Sequence, residues 1–187
     1  MKRLMPALCI CLLAVACICG CTGAGETAVA APEPLPGNLT ILHGGTEVVL
    51  DWDDITAMPA FEGYGYSVST VGIKSGPFAV KGVPLTDLIA LAGDFGPENR
   101  VWVSATDGYL WVFDADQVDG EGFITFDDNL KEVPAPPLTI IIMYEQDGLP
   151  VTYEYGGPFR MVVATATPDI ITEGSSWVKW VDTIEVR

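Results

Sequence analysis

Gly156-Gly157-Pro158-Phe159-Arg160-Met161-Val162-Val163-Ala164-Thr165 is the stretch on which the reading of the fold turns. Two glycines and a proline make a turn. The chain then enters an apolar run with a single cation, Arg160, near its start. Residues 159–165 read as a buried strand, since a short apolar run bounded by turn residues offers no polar face to water. Residues 138–144, LTIIIMY, have the same character on the N-terminal side. On the C-terminal side residues 177–186, WVKWVDTIEV, close the domain as another strand.

Residues 101–105 and 110–113 read as strands around Asp107-Gly108, and residues 123–126 as a short strand. Residues 64–73 alternate as a strand does, and residues 78–81 form a short extended piece. Residues 39–42 and 47–50 are two short strands around His43-Gly44-Gly45, with His43 as a surface turn residue. Asp51 is an N-cap for a short helix that stops near Pro59. The clearest helix covers residues 83–92: Pro84 starts it, Leu85, Leu88, Ile89 and Leu91 are its apolar set, and Gly93 ends it. Many strands and two short helices predict an α+β fold, a mixed β-rich domain without internal repeats.

The N-terminus carries a different signal. Lys2 and Arg3 precede an apolar run over residues 4–18, and Ile18-Cys19-Gly20-Cys21 follows. An apolar residue, two small residues and a cysteine form the pattern read by lipoprotein processing. The apolar part is shorter than the ~20 residues of a comfortable membrane span. Residues 1–21 are thus expected to be a lipoprotein signal with Cys21 as the lipidation site; Cys17 and Cys19 are weaker candidates. One acyl chain holds weakly, so anchoring calls for more than one on Cys21. Residues 22–37, TGAGETAVAAPEPLPG, read as a flexible linker, and residues 38–187 as one domain. The expected location is the extracytoplasmic face of the cell membrane, with the membrane itself as a partner through the lipid.

Composition bounds the chemistry. Cys9, Cys11, Cys17, Cys19 and Cys21 all lie in the signal segment, so the domain holds its fold by packing alone. Thiolate metal sites, CxxC redox chemistry and cysteine nucleophiles are excluded from it. The whole chain has a formal charge of −16; without Lys2 and Arg3, 7 cations face 25 acids, which is −18. Nucleic acid is therefore no partner, because its phosphates are repelled. The seven cations are Lys74, Lys81, Arg100, Lys131, Arg160, Lys179 and Arg187. Neither a phosphate-binding glycine loop, an HExxH zinc motif nor a GxSxG nucleophile motif occurs. The acidic stretch 114–121 lacks EF-hand spacing and reads as a solvated loop. Asp51, Asp53 and Asp54 read as helix-start charges.

Three segments carry a resemblance. Lys81-Gly82-Val83-Pro84-Leu85-Thr86-Asp87-Leu88-Ile89 leads to Ala92-Gly93. Asp107-Gly108-Tyr109 precedes an apolar strand. The Gly156 to Val163 stretch leads, after a loop, to Val178-Lys179-Trp180-Val181-Asp182-Thr183-Ile184-Glu185-Val186. In this order the segments resemble the molybdopterin-binding domain of the sulfite oxidase family, over roughly residues 39–187. The resemblance implies a mixed domain around a large cleft, and a phosphate-bearing pterin whose dithiolene holds molybdenum. It also implies one protein thiolate on the metal, from the segment before the GVPL helix. That segment here is SVSTVGIKSG, residues 67–76, without a cysteine. A neutral hydroxyl is a far poorer ligand for a thiolate-type site, so molybdenum is in doubt while molybdopterin stays implied.

By the same resemblance Thr70, Lys74, Lys81, Arg160 and Lys179 are candidates for holding the cofactor, and Tyr109 matches the family's substrate-side tyrosine. An anionic pterin needs cations, and Arg offers a bidentate fork. Each has a structural alternative. Arg160 either binds the cofactor or braces the Gly157-Pro158 turn. Lys179 either binds it or faces solvent between Trp177 and Trp180. Tyr109 either faces substrate or joins the core face continued by Trp111 and Phe113. Two functions follow: a molybdopterin-dependent oxidoreductase domain with an altered metal sphere and a membrane-bound redox partner, or a non-catalytic module for a small anionic ligand or a protein. The missing cysteine favours the second; the family favours the first.

Overall fold

The computed structural model describes Glu33 and residues 35–187. The signal segment, Cys21 and most of the expected linker lie outside the described residues. Strands β1 (Leu39–His43) and β2 (Thr46–Leu50) form a hairpin turned by Gly44 and Gly45, whose φ angles of 56° and 91° suit glycine. His43 is not a surface turn residue: it ends β1, is half-buried, and its Nδ1 is buried without a hydrogen-bond partner. Helix α1 (Trp52–Ala57) starts on a capping box, in which Asp51 accepts from the Asp54 amide and Asp54 accepts from the Asp51 amide. It ends at Met58, held extended before Pro59.

Strand β3 (Phe61–Val68) stops short of the expected residue 73. The Ser69 amide donates to the Ile73 carbonyl and the Gly72 amide to the Ser69 carbonyl, which folds residues 69–73 into a hairpin turn. Strand β4 (Lys74–Pro84) absorbs both the expected extended piece and the first residues of the expected helix. Val83 and Pro84 pair with Ile142 and Ile141, so the sheet takes their backbone before a helix can start. Helix α2 is therefore only Leu85–Ala90, with Leu85, Leu88 and Ile89 buried as expected, whereas Leu91, also expected in the apolar set, follows the helix and is exposed. Strands β5 (Val101–Ala105) and β6 (Leu110–Phe113) stand where expected. The acidic stretch is not simply a loop: it holds a third helix, α3 (Ala115–Val118), on a second capping box between Asp114 and Gln117.

The remaining strands are β7 (Thr125–Phe126), β8 (Glu132–Val133), β9 (Leu138–Gln146), β10 (Leu149–Pro150), β11 (Arg160–Thr165), β12 (Ile171–Glu173) and β13 (Val181–Val186). One sheet runs β2-β1-β13-β5-β6, with β1 and β13 parallel. The larger sheet runs β10-β9-β11-β3-β12-β7-β8, and β4 pairs with both β3 and β9. The pairings β3–β4, β4–β9, β9–β11 and β11–β3 close into a ring, which hides most edges of the four strands. The described domain is thus β-rich with three short helices, which agrees with the α+β expectation.

One core serves both sheets. Ile41 and Ile184 from the smaller and Ile140, Ile142 and Val162 from the larger belong to the same buried cluster. Helix α2 touches β1, β4 and β9 and so bridges the sheets. The two C-terminal motifs are joined through backbone: the Met161 amide donates to Val178, the Val181 amide to Phe159 and the Trp180 amide to Gly156. Residues 177–180 are not strand, because Trp180 has a left-handed φ of 50° that breaks extension.

Candidate ligand cleft

Three segments converge on one cleft of about 520 Å³. The first is the β3–β4 hairpin, which supplies Ser67, Ser69, Thr70, Val71, Ile73 and Ser75. Ser67 is buried and pairs with Ser75 on β4 and with Thr172 on β12, so its position is fixed from both sides. Ser69 accepts the Ile73 amide through its Oγ at 3.0 Å, which sets the turn. The second segment is the β5–β6 turn. The Asp107 carboxylate accepts the Tyr109 amide at 2.9 Å, and the Gly108 amide donates to Ala105. These bonds aim Tyr109 outward, 42% exposed, rather than into the core. The third is the short 3-10 turn after β12, with Gly174 and Ser175. The Tyr109 hydroxyl donates to the Ser175 carbonyl at 2.7 Å, linking the second segment to the third.

The lining is uncharged. Five aliphatic hydroxyls and the Tyr109 phenol supply its polar side chains, and Val71, Ile73 and the Tyr109 ring its apolar surface. Among the described residues no group of three or more His, Cys, Asp or Glu side chains is arranged to hold a metal ion.

Of the sequence candidates, the structure brings Thr70 and Tyr109 together here. Lys74 sits between two lining residues, Ile73 and Ser75, but strand alternation turns it to the other face. There its ammonium is paired with the Asp128 carboxylate and also donates to the Asp128 carbonyl at 3.0 Å. Tyr66 donates to the same carboxylate at 3.1 Å. The hydrogen bond from Lys74, then that from Tyr66, holds Asp128 below the usual carboxylate range; the hydrogen bond to Asp128 raises Lys74.

Lys81 lies elsewhere on β4, between its cross-strand partners Glu62 and Glu145, with its ammonium 2.9 Å from Glu62. The hydrogen bond to Glu62 raises its pKa. Arg160 is only 8% exposed. Its Nη1 donates to the Tyr155 carbonyl at 3.1 Å, and its guanidinium lies 5.2 Å from the Trp177 ring centre. Its Nε is buried without a partner, and burial lowers its pKa to about 10, which leaves it charged at neutral pH. Lys179 lies 5.6 Å from the Trp180 ring centre, beside Gly156, where a Cβ would meet its stem. Lys81, Arg160 and Lys179 do not line the cleft. Sequence reasoning missed Ser67, Ser75, Gly174 and Ser175 as lining residues. The hydroxyl-rich SVSTVGIKSG string held a signal for the first two, whereas Gly174 and Ser175 sit in a loop that only folding brings near.

The cleft thus sits where the hairpin tip, the Asp107-Gly108-Tyr109 turn and the turn after β12 meet. The model of the oxidoreductase molybdopterin binding domain matches residues 39–187, and the chain belongs to that family. Among solved structures, the sulfane dehydrogenase SoxCD from Paracoccus pantotrophus is similar with a TM-score of 0.61 and 18% identity. The match covers 80% of this chain and 38% of that chain, so this chain spans well under half of its length, and the likeness is one of fold. A comparison with curated proteins gives no significant match.

Proposed function

We propose that this chain is an extracytoplasmic lipoprotein whose molybdopterin-binding-type domain is degenerate at the metal site and holds a small ligand in its cleft. The observation that carries the reading is the donor set of the cleft. The hairpin where the family resemblance expects a thiolate presents Ser67, Ser69, Thr70 and Ser75, and no thiol. Aliphatic hydroxyls stay protonated near neutral pH and are poor ligands for a thiolate-type metal. These residues do not fit the family's metal centre. The cleft itself does not depend on a metal: it is set by backbone bonds of the hairpin, the Asp107 turn and the Tyr109–Ser175 contact.

The lipid-anchored part of the reading rests on Ile18-Cys19-Gly20-Cys21 behind an apolar run. Changing Cys21 to Ala should leave the precursor uncut or release the protein from the membrane fraction. Normal retention and normal mass in that variant would oppose it. The cleft reading is tested by turnover. Protein purified from its natural host should oxidise no sulfite and reduce no sulfoxide with artificial electron carriers. Sustained turnover of either would restore the oxidoreductase reading, which family membership favours, together with its need for a membrane-bound redox partner.

A further inference from the structure

We infer that a groove beside Trp180 rests on the surface of the lipid bilayer, an inference that depends on the lipid-anchored part of the reading above. The groove, of about 350 Å³, has Leu35, Pro36, Tyr153, Pro158 and Trp180 in its lining. Its first support is where the chain toward Cys21 leaves the domain. Leu35 and Pro36 line the groove themselves. A Cβ at Gly37 would come 2.6 Å from the Pro158 Cγ, so the bare glycine lets the chain lie against the turn before β11. Residues 22–34 separate Cys21 from Leu35, and a chain of that length reaches about 45 Å at most. A lipid on Cys21 therefore holds the groove within that distance of the membrane, at an effective concentration on the order of millimolar.

The second support is the aromatic surface. Tyr153 is 65% exposed, and its ring centre lies 5.4 Å from that of half-buried Trp180. Tyr and Trp favour the membrane–water interface, where an apolar ring meets lipid and a polar edge meets water. The Trp180 Nε1 donates to the Tyr153 carbonyl at 2.9 Å, so the indole can meet lipid with no bare donor. Trp180 also holds a left-handed φ of 50°, a costly conformation for a bulky residue, and its amide is bonded to Gly156. Charge selects the kind of surface. Glu154 is exposed beside Tyr153, Asp182 lines the groove, and the chain carries −16, so an anionic surface repels it. Lys179, 5.6 Å from the Trp180 ring centre, offsets only part of this. The surface that fits is one of zwitterionic headgroups.

The test uses the full chain, expressed and processed in its natural host and reconstituted into phosphatidylcholine vesicles. Flotation first shows whether the vesicles hold the protein. Tryptophan emission is then compared between ordinary and brominated phosphatidylcholine, whose bromines quench only an indole that touches lipid. Trp180 is one of five tryptophans, so brominated lipid should remove up to about a fifth of the emission. Trp180→Phe should abolish this loss, and Tyr153→Ala should reduce it by about half or more. Absence of quenching in protein that floats overturns the inference and leaves the lipid anchor standing. Quenching that persists in folded Trp180→Phe, checked by circular dichroism, puts another face on the lipid and also overturns it. Should Trp180→Phe not fold, Tyr153→Ala decides: undiminished quenching there overturns the inference. Protein that does not float overturns the lipid-anchored reading and the inference with it.

Discussion

The hydroxyl of Tyr109 donates to the carbonyl of Ser175 across 2.7 Å, although the two residues lie 66 positions apart in sequence. This contact ties the β5–β6 turn to the turn that follows β12, and so fixes one wall of the cleft against another. Tyr109→Phe should remove the tie and little else. Because the group is exposed, the loss should be about 1 kcal/mol or less by urea denaturation. Amide exchange around residues 174–176 should speed up. Unchanged exchange there would show that the contact does not hold the turn.

Leu88 is fully buried on α2, the helix that bridges the two sheets. Leu88→Ala should cost about 2–5 kcal/mol in chemical denaturation. A loss below about 0.5 kcal/mol, the usual surface range, would place the residue outside the core.

Arg160 is bonded to the Tyr155 carbonyl and packed on the Trp177 ring, so its loss should be felt in stability. Arg160→Ala strips the Tyr155 carbonyl of its donor and leaves a hole beside Trp177, which should cost about 2–4 kcal/mol. Arg160→Met keeps most of the volume and should cost clearly less. Loss of ligand binding at unchanged stability, in either variant, would return Arg160 to the site.

The Lys74–Asp128 pair gives a pH dependence whose sign follows from the two shifts. Asp128 is held below its ordinary value by Lys74 first, so its contribution is present above the ordinary carboxylate range and is lost as pH falls through the lower folded value. Lys74 is raised, so its share is present below the ordinary lysine range and is lost as pH rises through the folded value. The stability gap between the natural protein and Asp128→Asn should therefore be open at neutral pH and close in strong acid. A gap that is constant across the acid limb would exclude the pair as its source.

The sequence made the apolar strands legible because their runs are long and bounded by turns: β5, β6 and β11 appear where the pattern places them. Element ends were less legible, for tertiary reasons. Val83 and Pro84 fit a helix start locally, yet β9 pairs with them. Trp180 continues an apolar pattern, yet its amide is drawn to Gly156 and its backbone turns left-handed. Strands of two or three residues, β8, β10 and β12, carry no periodicity to read. In the site, Tyr109 and Thr70 were legible from motifs, while the dispersal of the cations was not. The partner of Lys74 is Asp128, 54 residues away, and the partner of Lys81 follows from a register that only pairing sets.

On the proposed function, the cleft holds no thiolate-ligated metal. The most direct measurement is elemental analysis of the protein purified from its natural host with the cofactor machinery intact. Molybdenum and tungsten should be far below one atom per chain, because no residue after Cys21 supplies a thiolate and the hairpin offers only hydroxyls. Near-stoichiometric molybdenum or tungsten that stays with the folded domain would contradict it.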